Sequence, residues 1–528
     1  GEFPSLVGRI VGGLADAVVQ AESEDDLAWL CGFSARRGIP ITPRAAATSG
    51  YGGAIPVNGG VVVDLTRFNR ILAIYEEEPA ALVEPGVVWW DLERELRKHG
   101  LALRSYPSSA PSSTVGGWVA EGGSGIGAYG YGGITDAVLE LRVVGPGGAR
   151  TMGEREDLAL YVGSEGTLGF ISSVKLALRK ATGEDPYLFA FPDPEDVQRF
   201  IASLKGRDLP VFHLQVITPG LAALKNAVSD TAYLPEGSYL VLAALERTAS
   251  GEEDREAAAP SPQGETSSPQ GEAPSPQGEE LSRLAAAARG RALDHDAADR
   301  EWEERLYPMR IKKAGPSLVP AEAEVPTSKI GALLADAAKR LPELALEVIV
   351  GRDGKSVFLG FIPCDSRTAD FTVDFTASLE FLRLAEKYGG APYGIGLYFV
   401  DRADKRLGKA GIRRLAEAKR EADPACLLNP GKMLDTCASA PRLRALRGMM
   451  GMARLTLPLA APARKLAPRV RLMRRRLPER VEEAAFTCAQ CGYCKEGCTL
   501  YAGRGWESAS PRGKMQYLRG YARGEVPL

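Results

Sequence analysis

The sequence predicts an α+β protein of several domains, and three observations support this prediction. A chain of 528 residues is too long for one hydrophobic core, so two or three domains are expected. Residues 185–435 alternate short strand-like and helix-like segments, and four cysteines cluster near the C-terminus. We therefore predict domains at 1–184 and 185–435, a basic tether at 436–480, and a small helical domain at 481–528.

Composition excludes several classes of function. Hydrophobic residues make up 45% of the chain and charged residues 25%, as in ordinary globular proteins, and the net charge of −2 gives no sign of nucleic-acid binding. No apolar run approaches the roughly 18 residues that a transmembrane helix needs. The first residues, Gly1-Glu-Phe-Pro4, resemble neither a signal peptide nor a native start. We expect a cytoplasmic protein with at most peripheral contact to the inner face of a membrane.

The first part of the chain alternates helices and strands. The segment Asp25–Gly38 has apolar residues at helical spacing and a glycine stop, and Ile39–Thr42 is a short strand. A glycine- and serine-containing loop, Pro43–Ala54, then leads to a strand at Val61–Leu65. The segment Val83–Gly100 predicts a strand, a turn and a helix. Taken alone, Pro43–Ala54 would be interpreted as an ordinary turn. Because a second glycine-rich stretch follows, we interpret it as a loop that faces a phosphate group.

That second stretch runs from Tyr106 to Gly169 and is rich in glycines and hydroxyl side chains. Glycine permits positive φ and close backbone approach, and successive backbone N–H groups form nests that bind pyrophosphate. We infer that the stretch wraps a dinucleotide, namely FAD. The segment Gly125–Gly130 matches G-x-G-x-x-G, but it follows no strand and precedes one, so a Rossmann site is rejected.

The order of five motifs resembles the FAD-binding domain of the vanillyl-alcohol-oxidase/PCMH superfamily, in its glycolate-oxidase and D-lactate-dehydrogenase branch. The motifs are Pro43–Ala54, Val83–Gly86, Pro107–Gly117, Gly122–Gly133 and Gly163–Gly169. The resemblance implies a two-subdomain PCMH-type FAD-binding domain with FAD extended between the subdomains. It also implies an α+β cap domain with an antiparallel sheet on the substrate side.

By position, the resemblance implies that Arg44–Gly53 and Ser113–Gly117 hold the pyrophosphate of FAD. It also implies that Gly122–Gly130 passes the ribose and flavin and that Glu165–Ile171 runs past the cofactor. The residues carried over are Arg44, Ala46, Ala47, Thr48, Ser49, Gly50, Gly52, Gly53, Pro107, Ser113, Thr114, Val115, Gly116, Gly117, Gly122, Gly123, Gly125, Gly127, Tyr129, Gly130, Glu165, Gly166, Gly169 and Ile171. Relatives with covalent flavin attach it through His or Cys. Neither occurs in 44–54 or 107–130, so we predict dissociable FAD. The run Ala45–Ala47 departs from relatives, which usually carry glycines there.

An insert interrupts the second domain. The sequence Ser-Pro-Gln-Gly-Glu occurs at 261–265, 268–272 and 275–279. Proline and glycine at this density predict a disordered surface loop over 249–280, to which we assign no function.

The resemblance extends to the cap domain, where Arg310 matches the arginine that binds a substrate carboxylate. A guanidinium suits that role, although a surface ion pair is equally plausible for Arg310. Asn429 and Lys432 would lie near the flavin. Relatives often carry a divalent metal on histidines in two motifs, whose counterparts here are Val350–Val357 and Ala391–Gly396.

The three histidines of the chain, His99, His213 and His295, lie outside both motifs. The metal site and its catalytic base are therefore expected to be missing. The side chains proposed for the space of the missing metal site are Tyr393, Lys355, Arg352 and Tyr398. The catalytic candidates for the whole site are Arg310, Tyr393, Lys355 and Asn429.

Twelve basic residues and one acid, Glu479, lie between Pro441 and Arg480. Such a segment could be a membrane-surface helix, could bind an acidic partner, or could pack on the flavin domain. Four prolines break any long helix, which favours a tether docked on protein.

The cluster Cys488, Cys491, Cys494 and Cys498 has the C-x₂-C-x₂-C-x₃-C spacing of [4Fe–4S] ligands, with structural zinc as the weaker alternative. The other four cysteines are scattered, which indicates a metal centre in a reducing compartment rather than a disulfide framework. The segment Trp506–Lys514 resembles the first cluster segment of iron–sulfur subunits of glycolate oxidase and heterodisulfide reductase. In that pattern the fourth cysteine serves a second cluster. Either Cys498 completes one cluster, or a partner or absent residues supply ligands, and we favour the latter.

The combined prediction is an FAD-dependent dehydrogenase of 2-hydroxy acids that passes electrons to an iron–sulfur centre. The expected ligands are a small carboxylate substrate and an iron–sulfur or electron-acceptor partner subunit. Two alternatives remain open: a non-catalytic electron-transfer subunit, and a non-redox synthase of the alkyl-glycerone-phosphate type.

Overall fold

A computed structural model describes residues 13–247, 275–434, 444, 448–452 and 470–527. Its first unit is a parallel sheet in the order β1-β3-β2, formed by β1 (Ala17–Gln20), β2 (Ile41–Arg44) and β3 (Val61–Asp64), with helix α1 (Glu24–Arg37). The Ser23 side chain caps α1 by accepting from the Asp26 N–H, and Gly38 ends it at φ 64°. The predicted first helix is confirmed.

The second unit is an antiparallel sheet in the order β4-β5-β9-β7-β8, with β6 also paired to β9. The core of this unit includes Trp89 and Trp118, which pack edge to face with ring centroids 5.3 Å apart. The strands are β4 (Ile71–Tyr75), β5 (Ala80–Val83), β6 (Leu101–Leu103), β7 (Val138–Gly145), β8 (Gly148–Met152) and β9 (Phe170–Lys180); the helices are α2 (Trp89–Lys98), α3 (Val115–Glu121), α4 (Ala128–Tyr131), α5 (Ile134–Ala137) and α6 (Arg155–Tyr161).

The cap domain is built on a seven-stranded antiparallel sheet in the order β13-β10-β12-β11-β15-β16-β14. Together with the first two units it confirms the predicted α+β architecture of two smaller subdomains and an antiparallel cap. The strands are β10 (Glu184–Phe191), β11 (Val211–Ile217), β12 (Tyr239–Glu246), β13 (Arg291–Ala292), β14 (Ser317–Pro326), β15 (Ala345–Val350) and β16 (Lys355–Cys364); the helices are α7 (Pro194–Ser203), α8 (Pro219–Val228), α9 (Pro276–Ala287), α10 (His295–Glu304), α11 (Ile330–Arg340), α12 (Phe371–Lys387) and α13 (Ala403–Ala422).

The prediction of a disordered insert over 249–280 is wrong for its last residues. Its third repeat starts helix α9: the Ser275 hydroxyl accepts from the Gly278 N–H, and Pro276 occupies the first helical turn. Proline is favourable at that position because its fixed φ suits a helix and no N–H is needed there. Gly278 is buried, and a Cβ atom on it would lie 2.0 Å from the Tyr187 hydroxyl. The rest of the insert lies outside the described residues.

A C-terminal helical unit follows the tether. It contains α14 (Glu479–Thr487), α15 (Thr499–Arg504) and α16 (Pro511–Arg523), and the buried Arg519 donates to the carbonyl oxygens of Ala485, Phe486 and Cys488. The described end of the tether lies on protein, because the Leu472 N–H donates to the Arg367 carbonyl. Five short 3₁₀ helices complete the secondary structure: Pro308–Ala314, Thr327–Lys329, Val400–Arg402, Tyr493–Lys495 and Glu507–Ala509.

The cysteines and the apolar helices of the described residues can be compared with the predictions from composition. Cys426 is disulfide-bonded, whereas Cys31, Cys488, Cys491, Cys494 and Cys498 are free thiols. One disulfide is therefore an exception to the expectation drawn from the scattered cysteines. Within the described ranges, no helix is both long and apolar enough to cross a bilayer.

A buried ion pair joins the cap domain to the FAD-binding domain. The Lys419 ammonium group lies 2.6 Å from the Asp423 carboxylate, and both side chains are almost fully buried. Lys419 also donates to the carbonyl oxygens of Thr167 and Leu428, each at 2.7 Å. Asp423 accepts from the N–H groups of residues 427 and 428. One cation therefore satisfies a carboxylate and two backbone carbonyl groups, one of which belongs to the FAD-binding domain.

We predict that Lys419→Met destabilises the protein by about 3–5 kcal/mol, because it leaves the Asp423 carboxylate buried without an opposite charge. Lys409→Met, at an exposed position of the same helix, is the matched control and should have little effect. Thermal and urea denaturation followed by circular dichroism measure the difference. Equal midpoints for the two variants would contradict the structural role of Lys419.

Candidate functional site

The loop between β2 and β3 leaves a row of backbone donors free. In the described part of the chain, no hydrogen bond uses the backbone N–H groups of residues 45–50. Residues 45, 46, 48 and 50 are buried or half-buried, whereas Ala47 and Ser49 are exposed. Buried or half-buried backbone groups in proteins nearly always have a partner, and successive free N–H groups form an anion-binding nest. This loop, 45–50, is therefore available to an anionic ligand.

A second loop brings two unpaired hydroxyl groups beside the first loop. The oxygens of Ser113 and Thr114 are buried and have no hydrogen-bond partner among the described residues. A Cβ atom built on Gly117 would lie 3.3 Å from the Ala45 Cβ, so the two loops approach closely there. Unpaired buried hydroxyls next to unpaired amides are a suitable environment for phosphate oxygens.

A third loop, Gly163–Gly169, and the end of the cap domain lie next to the same region. The Asn429 side-chain amide donates to the carbonyl oxygens of Gly53 (3.2 Å) and Glu165 (2.7 Å), and Lys432 donates to the Ile55 carbonyl at 2.7 Å. The Gly396 N–H donates to one oxygen of the Glu165 carboxylate at 2.7 Å, while the other oxygen has no partner. The motifs predicted to meet at the cofactor are thus brought together.

One residue of the first loop has a strained backbone. Ala47 has φ 52°, in the left-handed region that costs an L-residue with a Cβ atom about 1–2 kcal/mol. This is the position where the sequence departs from the glycines of its relatives. The methyl group does not prevent the conformation, but contacts elsewhere must hold it.

Several predicted cofactor residues instead serve protein packing. Val115 and Ile171 lie in the hydrophobic core. Six glycines allow close approach of other protein atoms, because an added Cβ would lie within 3.0 Å of them. These glycines are Gly116 against Pro85, Gly125 against Tyr106, Gly127 against Arg104 and Phe212, Gly130 against Val211, Gly166 against Pro43, and Gly169 against Val143.

Other predicted residues have partners of their own. The Arg44 guanidinium pairs with Asp64 at 3.2 Å and with Glu507 at 3.4 Å. Ser49 donates to the Glu121 carboxylate at 2.8 Å. Gly122 packs on the Gly163 backbone, and a Cβ atom built on Gly123 would lie 2.9 Å from the Tyr393 hydroxyl. The remaining predicted residues, Gly52, Pro107 and Tyr129, stay predictions without a distinguishing contact.

A cluster of five polar side chains lies where the cap domain meets the FAD-binding domain. We call this set the polar cluster: Tyr51, Glu121, Glu322, Tyr393 and Arg406. The Tyr393 hydroxyl accepts from the Ser124 N–H at 3.0 Å and donates to the Ser124 carbonyl at 3.1 Å. Arg406 donates through Nη2 to the carbonyl oxygens of Glu121 and Gly122, each at 3.0 Å, and its Nη1 is unbonded.

The electrostatics of the polar cluster favour protonated acids. Burial, reinforced by the charge of Glu121, raises the pKa of Glu322 to about 7. Burial and the same carboxylates raise the pKa values of Tyr51 and Tyr393, so both phenols are neutral and can donate hydrogen bonds. The Tyr51 hydroxyl lies beside Glu322 but makes no hydrogen bond of normal length. Glu322 is thus a carboxyl group that exchanges a proton near neutral pH.

Sequence reasoning predicted Tyr393 in this region but missed Glu322, Tyr51, Glu121 and Arg406. The available signal was in strand β14, where Ala321-Glu-Ala-Glu324 alternates. Alternation places both glutamates on one face, opposite the buried alanines. Only the fold shows that this face meets the FAD-binding domain.

The other catalytic candidates lie in different surroundings. Arg310 is exposed, pairs with Glu304 and lies over the Tyr307 ring. This agrees with the alternative that Arg310 forms a surface ion pair. Lys355 pairs with Glu324 at 2.8 Å, on the same sheet face as Glu322. Arg352 is exposed and donates to the Gly130 carbonyl at 3.1 Å. Tyr398 is buried against Tyr51 and two phenylalanines.

The cysteines of the C-terminal unit approach one another, but their arrangement in the described residues does not support the predicted metal site. Burial, with the charges of Cys488 and Cys491, raises the pKa of Cys494. Cys498 instead accepts from the Tyr501 N–H at 3.4 Å. Across the described ranges, no three or more His, Cys, Asp or Glu side chains are grouped to hold a metal ion.

Comparison with known proteins identifies two domains. Residues 15–151 match the FAD binding domain family, and residues 184–433 match the C-terminal domain of FAD linked oxidases. The glycolate oxidase subunit GlcD of Bacillus subtilis is 28% identical over 80% of this chain and 89% of its own length. The mitochondrial D-lactate dehydrogenase [cytochrome] of Arabidopsis thaliana is 24% identical over 80% of this chain and 74% of its own length.

Solved structures show the same fold at lower identity. p-Cresol methylhydroxylase with substrate bound aligns with a TM-score of 0.63 at 18% identity, over 79% of this chain and 88% of its own. An alkyldihydroxyacetonephosphate synthase aligns with a TM-score of 0.61 at 18% identity, over 78% of this chain and 75% of its own.

The residues of this chain fit FAD. The free N–H groups of loop 45–50 and the unpaired hydroxyls of Ser113 and Thr114 are donors for a pyrophosphate, which has oxygen acceptors only. The polar cluster lies beside the same loops, where a flavin ring and a substrate could meet it. The chain belongs to the PCMH-type FAD-binding superfamily, pairs that domain with an FAD-linked oxidase C-terminal domain, and is an FAD-linked oxidoreductase.

Proposed function

We propose that the protein oxidises a small 2-hydroxy acid at the polar cluster and passes the electrons to an acceptor other than O₂ or NAD(P). Glycolate oxidase and D-lactate dehydrogenase among its relatives support this substrate class. The observation that carries the proposal is that two groups lie near Tyr393: Glu322, a carboxyl group with a pKa of about 7, and Arg406, a cation with one nitrogen that has no described partner. FAD, when bound, accepts a hydride and can release single electrons.

In this proposal Glu322 accepts the proton of the substrate hydroxyl group as the hydride leaves the α-carbon. A general base works best when its pKa is close to the working pH, and burial gives Glu322 such a pKa. The neutral phenols of Tyr51 and Tyr393 stay protonated and can donate to the substrate oxygens. Glu322 would then perform the role that metal-bound histidines have in relatives.

Arg406 is proposed to bind the substrate carboxylate. Its Nη2 is held by two backbone carbonyls, which fixes the plane of the guanidinium group. The Nη1 nitrogen has no described partner and can donate to a carboxylate oxygen. The sequence-based candidate, Arg310, already pairs with Glu304 at the surface.

We expect anaerobic addition of D-lactate, glycolate or 2-hydroxyglutarate to reduce the flavin of the holoprotein, seen as loss of its visible absorbance. Arg406→Gln should raise the substrate concentration needed for half-maximal reduction by at least about tenfold, because a charge-assisted hydrogen bond is lost. Arg310→Gln is the matched control and should leave that concentration unchanged. If none of the three acids bleaches the flavin, the proposed substrate class is wrong. An electron-transfer subunit that is reduced only by a partner protein then becomes the better account.

We expect kcat/KM to rise with pH up to about 7 and then level off, because Glu322 acts as a base only after it loses its proton. Glu322→Gln should remove this acid limb and lower kcat by about 10²–10⁴-fold. Glu347 is a suitable control since burial raises its pKa to about 7 as well, and it faces Lys225 and Glu301 instead. Glu347→Gln should keep the limb. A limb that persists in Glu322→Gln would contradict the assignment.

The spacing of Cys488, Cys491, Cys494 and Cys498 supports a further part of the proposal, that this segment ligates an iron–sulfur cluster connected to the electron acceptor. No reaction step is derived through it. We expect anaerobic reconstitution to give iron and acid-labile sulfide in equal amounts and an EPR signal on reduction. Cys491→Ser should abolish both, whereas the buried Cys31→Ser should change neither. A preparation that binds zinc but no sulfide would contradict this part alone.

A further inference from the structure

The C-terminal cysteine segment, residues 488–523, docks on the loops that face the dinucleotide. The Ser112 hydroxyl donates to the Cys491 carbonyl, and the Tyr493 hydroxyl donates to the Ser108 carbonyl at 3.1 Å. Gly492 fits closely there, because an added Cβ would lie 3.3 Å from the Ser112 Cβ. These contacts are on the loop that carries the unpaired Ser113 and Thr114 hydroxyls.

Arg512 extends the docking to the first loop. Its side chain is 6% exposed and donates to the Ala46 carbonyl at 2.8 Å and to the Gln490 carbonyl at 3.3 Å. Glu507 fixes the guanidinium orientation by accepting from it at 2.8 Å and 2.6 Å. Glu507 also pairs with Lys495 at 2.5 Å and with Arg44 at 3.4 Å. A single buried arginine therefore connects the cysteine segment to the loop.

The bond to Ala46 is adjacent to the strained residue Ala47. Of the hydrogen bonds within the described residues, the one from Arg512 is the only bond that reaches residues 45–48. A strained backbone persists only when surrounding contacts hold it, and Arg512 supplies the contact here. The same loop presents the unpaired backbone N–H groups.

We propose that Arg512 is a positioning residue for the dinucleotide site: by holding the Ala46 carbonyl, it keeps loop 45–50 in the conformation that binds the FAD pyrophosphate. Docking of the cysteine segment and binding of FAD are therefore coupled. Because coupling between two binding equilibria is reciprocal, FAD must also stabilise the docked segment. The inference rests on FAD binding and not on the proposed substrate, so it can fail or hold independently of the proposed function.

The test is the dissociation constant of FAD for the full-length, deflavinated protein, measured by equilibrium dialysis. Arg512→Gln should weaken FAD binding by at least about tenfold. Lys514→Gln, at an exposed position of the same helix, is the matched control and should leave the affinity unchanged. Ala47→Gly removes the strain without touching Arg512. Adding it to Arg512→Gln should recover most of the lost affinity, which a general loss of structure would not permit.

Hydrogen exchange on the unmodified protein supplies a second test that needs no variant to fold. Saturation with FAD should slow exchange of the backbone amides in 488–523 as well as in loop 45–50. Unchanged exchange in 488–523 would overturn the proposal. So would an Arg512→Gln variant that binds FAD normally, or one whose lost affinity Ala47→Gly does not recover.

Discussion

The site depends on one constraint, which is that the backbone N–H groups of loop 45–50 have no acceptor among the residues that the structure describes. Unpaired amides at the meeting point of two subdomains are unfavourable unless a ligand with several acceptor oxygens binds them. The surrounding structure maintains that arrangement. The second loop brings the Ser113 and Thr114 hydroxyls close, and Asn429 joins the first loop to the third through two carbonyl groups. The cap domain thus helps to hold these loops together.

In the proposed function, the chemistry at the cap is carried by carboxylic acids and phenols instead of a histidine-bound metal. In an enclosed region, a carboxyl group near another carboxylate keeps its proton to higher pH, and this is what makes Glu322 different from a surface glutamate. Arg406 limits the resulting build-up of negative charge, and its charge lowers the pKa values of Glu121, Glu165 and Tyr393 against the larger effect of burial. One fold can therefore supply a proton acceptor and an anion-binding group without a metal centre.

Much of this fold could be predicted from the sequence because the determining signals are local. A glycine stop and apolar periodicity located helix α1, a short apolar run located strand β3, and the motif order indicated the superfamily. The prediction of disorder at 275–279 was wrong because composition alone does not show that Ser275 and Pro276 occupy favourable positions to begin a helix. Arg512 and Ala46, which are joined by a hydrogen bond, lie 466 positions apart in the sequence. Glu322 and Arg406, which belong to the same polar cluster, lie 84 positions apart. No local pattern in one sequence encodes such pairs.

The most direct test of the central claim is the ³¹P NMR spectrum of FAD bound to the protein. If the amides of loop 45–50 and the Ser113 and Thr114 hydroxyls hold the pyrophosphate, both phosphorus resonances should shift away from those of free FAD and broaden to the linewidth of the protein. Sharp resonances at the positions of free FAD, in the presence of excess protein, would contradict the account.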